Sequence, residues 1–267
     1  MNRLNADELR AVKYYEGDIP EQAHADPFWG DAHAYVTLNA LLFDGLLTEY
    51  TRIREGKRLN PEMLADLPRL VRLYTALCAA AQKGAQTTER LGYRVERAAD
   101  FRICMKNRMT AAFTSTSLRG FLPSYGDKQE IVLLNCHVPA GLPVIIFADM
   151  LDDYRKANEA EMLLPPFLRF TLMQRPLTDA DRTITDLNGN PPHAVYDLYF
   201  LPGQQFALHT DAAALPDIYA AAKRLFAQIQ QHTPEALLDP DDCAAYLHFK
   251  QALREQVFGC AGGQDSL

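Results

Sequence analysis

The stretch Asn158-Glu159-Ala160-Glu161-Met162-Leu163-Leu164-Pro165-Pro166-Phe167 decides how this chain is read. Two glutamates one residue apart lead into an apolar run that stops at Pro-Pro. If the run is a strand, Glu159 and Glu161 share one face, because side chains alternate with period two. Carboxylates that close repel, so the pair calls for a cationic partner or a chemical task. Alone, Glu-x-Glu is most often a solvated surface strand. Two upstream segments add weight to it: Gly92-Tyr93-Arg94-Val95 and Phe113-Thr114-Ser115-Thr116-Ser117-Leu118.

Outward from that stretch, residues 90–200 hold short apolar runs separated by Pro, Gly, Asn and Asp, the pattern of strands and turns. Strands are expected near 92–96, 112–117, 130–138, 144–148, 161–164, 167–174 and 194–200, with a short helix over 100–107. Asn188-Gly189 signals a hairpin turn. The first ~85 residues have helical periodicity, with Tyr35, Leu38, Leu41 and Leu42 on one stripe and Leu70, Leu73 and Leu77 on another. Asn60-Pro61-Glu62 reads as a helix start and Gly84 as a stop. Helical period returns from Leu215, with Ile218, Ala222, Leu225 and Ile229 in line. Asp239-Pro240-Asp241-Asp242 opens a last helix lined by Tyr246, Phe249, Leu253 and Val257. The expected organisation is α+β: a helical lobe over 1–88, a β core over 89–213 and a helical extension over 214–267.

Composition narrows the function classes. The 267 residues are 48% hydrophobic and 23% charged, with a formal charge of −7. This describes an ordinary globular protein, and an acidic balance does not favour a nucleic-acid partner. No apolar run approaches the ~18 residues of a membrane helix. The first residues lack the apolar core of a secretory signal. Five scattered cysteines show no CxxC or zinc spacing, and seven scattered histidines suggest no metal. Cys136-His137 is not a nucleophile–base dyad, because neighbours on a strand face opposite ways. Asp186-Leu187-Asn188-Gly189-Asn190 starts like a calcium loop, but Pro191 and Asp197 occupy positions where Gly and Glu are needed.

The ordered set Tyr93-Arg94, Phe113-Thr114-Ser115-Thr116-Ser117 and Glu159-Ala160-Glu161-Met162-Leu163-Leu164-Pro165 resembles the mono-ADP-ribosyltransferase family in its Arg–Ser–Glu branch. The family's motifs are an aromatic-Arg at a strand end, Phe-x-Ser-x-Ser, and Glu-x-Glu before an aliphatic run and Pro. The short gap from Arg94 to Ser115 looks more like the vertebrate-type subgroup than the clostridial one. The likeness covers roughly residues 70–175. One departure is Val95, where the family often has Gly.

The resemblance implies a split β core that binds NAD in a cleft, without a metal, and transfers its ADP-ribose to a protein with release of nicotinamide. It implies that Glu161 stabilises the oxocarbenium-like ribose, a role suited to a fixed carboxylate. Arg94 would bind the pyrophosphate through its planar fork of donors. Ser115 would hold the ribose and orient Glu161, with Thr116 and Ser117 as supports. The backbone of Val95 would hold the nicotinamide amide. Glu159 would face the acceptor and serve as its base, which favours arginine and leaves threonine open. Tyr154 falls in the place of the target-recognition loop. Phe121 and Tyr125, in a Gly/Pro-rich loop, would stack on nicotinamide or form a satellite core. The expected setting is a bacterial effector or toxin, made in the cytoplasm without a signal peptide and delivered to a host cytosol. Ubiquitin, actin, a small GTPase and a metabolic enzyme are all open as acceptor. The rival readings are an NAD glycohydrolase and a catalytically silent binding module.

Overall fold

The run Ile131-Val132-Leu133-Leu134-Asn135-Cys136-His137-Val138 is apolar on both alternating faces, the signature of a central strand covered on both sides. The computed structural model describes residues 4–16, 34–54, 59, 61–119, 130–151, 160–185, 189–204, 215 and 217–258. Its strands are β1 (Arg90–Arg97), β2 (Thr114–Ser117), β3 (Ile131–Val138), β4 (Ile145–Ile146), β5 (Glu161–Leu164), β6 (Phe170–Arg175) and β7 (Ala194–Phe200). They form one mixed sheet in the order β4-β5-β2-β1-β3-β7-β6, with β3 deep inside it. The helices are α1 (Ala6–Glu16), α2 (Ala34–Leu42), α3 (Leu47–Arg54), α4 (Glu62–Ala65), α5 (Leu67–Lys83), α6 (Ala98–Asn107), α7 (Phe147–Met150), α8 (Asp179–Arg182), α9 (Tyr219–Gln230) and α10 (Pro240–Ala252). The protein is thus α+β, as expected.

The chain divides into two units, Met1–Leu9 with Cys78–Gln205, and Arg10–Leu77 with Phe206–Leu267. The first holds the sheet. The second gathers helices from both ends of the chain, an association that linear order does not announce.

In the sheet unit, β1 pairs with β3 along its whole length, from Arg90↔Val138 to Arg97↔Ile131. β3 then pairs with β7 in parallel, from Val132↔Ala194 to His137↔Tyr199. Val95, Ile131, Leu133 and Val195 share one face and form a core cluster against Leu177 and Ile184. On the other face, the Phe101 ring of α6 packs 5.0 Å from Tyr196. One sequence expectation fails here. The run 144–148 forms only the two-residue β4, because Phe147 starts α7. β6 and β7 are joined by residues 176–193, which include α8, and Gly189 in that link has φ +81°. Asn188 itself lies outside the described residues.

α8 is short but fully capped. Thr178 and Asp181 satisfy each other's backbone N–H groups in a capping box. Asp181 also receives Arg175 through two nitrogens, at 2.6 and 3.0 Å. The Arg175 guanidinium holds the Asp181 carboxyl well below the usual carboxylate range, with burial opposing and Thr178 assisting.

In the helical unit, Asp239 caps α10 by accepting from Asp241 and Asp242 N–H, with Pro240 in the first turn. A buried ion pair ties α10 to α3. Lys250 Nζ lies 2.6 Å from Glu49 Oε1, and the side chains are 3% and 0% exposed. Tyr246 donates to the same oxygen at 3.0 Å, and Lys250 to the Gly45 carbonyl at 2.7 Å. Burial depresses the Lys250 ammonium pKa against the pull of Glu49. The Tyr74 ring packs tilted against Phe258 with centroids 4.1 Å apart, and its hydroxyl donates to the Phe258 carbonyl.

Two outcomes are expected. Lys250→Ala strands a buried carboxylate and lowers stability in urea unfolding by about 3–5 kcal/mol. The double variant Glu49→Leu/Lys250→Met loses less, because no charge is left unpaired. Asp181 has a depressed folded pKa, so its contribution is present above the unfolded value of about 3.9 and lost as pH falls below it. Asp181→Asn therefore lowers stability at neutral pH and flattens the acid limb of the stability–pH profile.

Candidate active site

The site begins where the sheet is weakest. β2 pairs fully with β5, from Thr114↔Leu164 to Ser117↔Glu161. Yet β2 meets β1 through the one registered pair Tyr93↔Ser117 among the described residues. Beyond that join both strands run on without a second pair. The sheet is therefore two ladders, β4-β5-β2 and β1-β3-β7-β6, hinged at one pair. This is the split core.

Gly92 lets the ladders approach at the join. A Cβ there would meet Thr116 Oγ1 at 2.7 Å and Met162 Cε at 2.9 Å. The methionine tip is free to turn aside. Thr116 is not, because its buried hydroxyl donates to the Met162 carbonyl at 2.9 Å.

Registered partners in a sheet share a face, so the pairings place the predicted residues. Ser117 and Glu161 lie directly opposite each other. Ser115, two residues along, is on the same face. Tyr93, Asn135 and Asp197 continue that row across the sheet. Asn135 Nδ2 donates to Asp197 Oδ1 at 2.8 Å, which satisfies both buried groups. Glu161 and Ser115 are half-buried, and Ser117 is buried with its Oγ accepting the Arg119 N–H at 3.1 Å. Thr116 points the other way, toward Gly92 and Met162.

Arg94 leaves β1 on the face opposite to Tyr93 by strand alternation. Its guanidinium nevertheless crosses to β2, with Nη1 donating to the Ser115 carbonyl at 2.7 Å. Nε donates to Glu96 Oε2 at 2.6 Å. Val95 is 2% exposed, and its side chain belongs to the core cluster with Leu133 and Val195. Only its backbone is left for ligand contact.

The Pro-Pro segment is anchored to the approach to β2. Thr110 Oγ1 donates to the Pro165 carbonyl at 2.8 Å and accepts the Leu168 N–H at 3.0 Å. The Thr110 carbonyl accepts the Phe167 N–H at 2.8 Å, with Phe167 at φ +64°. These bonds set the register that puts Ser117 against Glu161.

β5 starts at Glu161, and Ala160 before it has φ +43°. A left-handed non-glycine residue breaks the strand. The shared-face expectation for Glu159 falls on a residue outside the described ones. Glu159, Phe121, Tyr125 and Tyr154 lie outside the described residues.

Two groups near the site were not singled out from sequence: Gly92 as the contact glycine and Glu96 as the arginine's partner. Glu96 was legible in principle, because residues two apart on a strand share a face. Cys104 and Cys136 are not nucleophiles. Burial pushes both thiols up to about 12, far from the thiolate form at neutral pH. His137 stacks on Tyr199 at 4.3 Å on the face opposite to Cys136. Among the described residues, no group of three or more His, Cys, Asp and Glu could hold a metal ion.

Gly92→Ala is expected to lower stability by about 1–3 kcal/mol through overpacking against Thr116. Thermal unfolding measures the loss. The same substitution paired with Thr116→Ser is expected to recover part of it.

No family model matches the chain, and no curated protein matches it. Its structural neighbours are bacterial ADP-ribosyltransferase toxins. The enzymatic component C2-I of the C2-toxin from Clostridium botulinum aligns at 12% identity and TM-score 0.40, over 76% of this chain and 44% of that one. The chain thus spans less than half the length of C2-I. The Vis toxin from Vibrio splendidus aligns at 16% identity and TM-score 0.40, over 78% of this chain and 81% of that one. The catalytic domain of VsdC from Aeromonas hydrophila aligns at 17% identity and TM-score 0.41, over 73% and 100%. At TM-scores below 0.5 these superpositions are loose, so the functional reading rests on the residues of this chain.

Proposed function

We propose that this chain is an NAD-dependent protein mono-ADP-ribosyltransferase. The observation that carries the reading is the β2–β5 register. It sets Glu161 opposite Ser117 with Ser115 on the same face, while Arg94 reaches the Ser115 carbonyl. Three segments distant in sequence meet at the one weak join of the sheet.

The chemistry follows from charge. Cleavage breaks the bond between the nicotinamide nitrogen and the ribose carbon, and the electron pair leaves with nicotinamide. Positive charge develops on the ribose, and a half-buried carboxylate at Glu161 stabilises it. Ser115 holds the ribose and orients Glu161, with Ser117 beside it. Arg94 takes the pyrophosphate. Thr116 holds the two strands together from the far face. The Val95 backbone offers one N–H and one C=O to the nicotinamide amide. The acceptor nitrogen of an arginine, or the hydroxyl of a threonine, then bonds to the ribose carbon and passes its proton to Glu159. Tyr154 meets the acceptor protein, and Phe121 or Tyr125 closes on nicotinamide. NAD is a substrate consumed in each turnover, and no metal enters the scheme. The setting we assign is a bacterial effector that modifies a protein of its host.

The test is incubation of the protein with labelled NAD and host lysate. Labelled protein bands with nicotinamide release are expected. Glu161→Ala should cut nicotinamide release by about a hundred- to a thousandfold. Glu159→Ala should cut transfer by about a hundred- to ten-thousandfold while leaving hydrolysis of NAD measurable. Free ADP-ribose with no labelled protein would make the chain a glycohydrolase. A wild-type protein that neither binds nor cleaves NAD would leave a docking module.

A further inference from the structure

Glu96 has no part in the scheme above, yet it grips Arg94 through two nitrogens. The two are separated by one residue on β1, so both side chains leave the strand on one face. Arg94 Nε donates to Glu96 Oε2 at 2.6 Å, and Nη2 pairs with the same oxygen. The other oxygen, Oε1, accepts the Arg97 N–H at 3.2 Å. The carboxylate is thus tied to its own backbone on one side and grips the guanidinium on the other. Nη1 is meanwhile fixed on the Ser115 carbonyl. The side chains of Arg94 and Glu96 are 18% and 13% exposed.

This arrangement constrains what Arg94 can do. A free arginine side chain samples many rotamers and loses that freedom when it binds an anion. Held on one edge by Glu96 and at Nη1 by Ser115, it has already lost most of it. A group fixed before its ligand arrives binds at lower cost than one that must be ordered. A competing role for Glu96, as an internal anion displaced by substrate, would require the pair to open. Opening would break a close ion pair between two largely buried side chains, which is unfavourable, and the Arg97 N–H anchor opposes it.

We propose that Glu96 is a positioning residue for Arg94, fixing the guanidinium beside Ser115 so that it meets the dinucleotide pyrophosphate already oriented. The inference rests on the reading of Arg94 as the pyrophosphate ligand.

The experiment is steady-state nicotinamide release against NAD concentration for the wild type, Glu96→Ala, Glu96→Gln, Arg94→Ala and the double variant Arg94→Ala/Glu96→Ala. Glu96→Ala should raise KM for NAD by about ten- to a hundredfold, the range typical of a lost orienting partner, while kcat changes by less than about threefold. Glu96→Gln retains an acceptor oxygen for Arg94 and should recover part of the KM. In the Arg94→Ala background, removing Glu96 should change KM no further, because the residue it positions is gone. If Glu96→Ala does not fold, Glu96→Gln carries the same test, with a smaller rise in KM. An active wild type whose KM is indifferent to Glu96 overturns the inference and leaves the functional reading standing. A fall in KM also overturns it and makes Glu96 a competitor of the substrate. A wild type that releases no nicotinamide overturns the functional reading first and this inference with it.

Discussion

Among the described residues, the sheet depends on one registered pair between β1 and β2, Tyr93↔Ser117. Every other neighbouring pair of strands is held by a ladder of two or more registered pairs. A ladder missing its next bonds leaves backbone groups that need partners, since buried N–H and C=O groups are rarely left alone. Arg94 supplies one by donating to the Ser115 carbonyl where a strand N–H would otherwise do so. The side chain assigned to the ligand is also the one that bridges the join, so local architecture and proposed chemistry meet in one guanidinium. Gly92 is the steric condition for this, because any side chain there would drive Thr116 away.

Both units bury charged side chains. In the helical unit, Glu49 and Lys250 are sealed from water and serve to register α3 against α10. Burying such a pair adds little net stability, but breaking it is costly, so it specifies one packing more than it strengthens it. In the sheet unit, the charged side chains of Arg94, Glu96, Arg175 and Glu161 keep partial exposure. Partial exposure keeps charge cheap to maintain and still strong enough to act on a ligand, since the local dielectric lies between interior and bulk. Asn135 and Asp197 sit between these regimes, buried but mutually satisfied.

Much of the fold was legible because period and punctuation agree. β5 and β7 fall on the residues expected, β1 and α6 extend the expected runs by only one or two residues at an end, and β3 starts one residue late. The errors have physical causes. Phe147 could continue a strand by propensity, but the chain turns into α7 after two β4 residues. The β6–β7 link folds α8 with its own capping box, a four-residue helix too short to show a period in sequence. Ala160, directly before β5, is left-handed, which ends the strand there.

Residue identity by itself determined the order Arg94, Ser115, Glu161, the apolar strands that carry them and the acidic, globular character of the chain. These are local properties, set by side-chain type and period along the backbone. Only the tertiary structure decided which residues share a face, that Tyr93 on β1 is set against Ser117 on β2, and that Glu96 holds Arg94. It also decided that helices from opposite ends of the chain form one unit. Those outcomes depend on register and contact between segments far apart in sequence. Hydrogen-bond satisfaction and steric fit choose them, and neither can be evaluated until the segments meet.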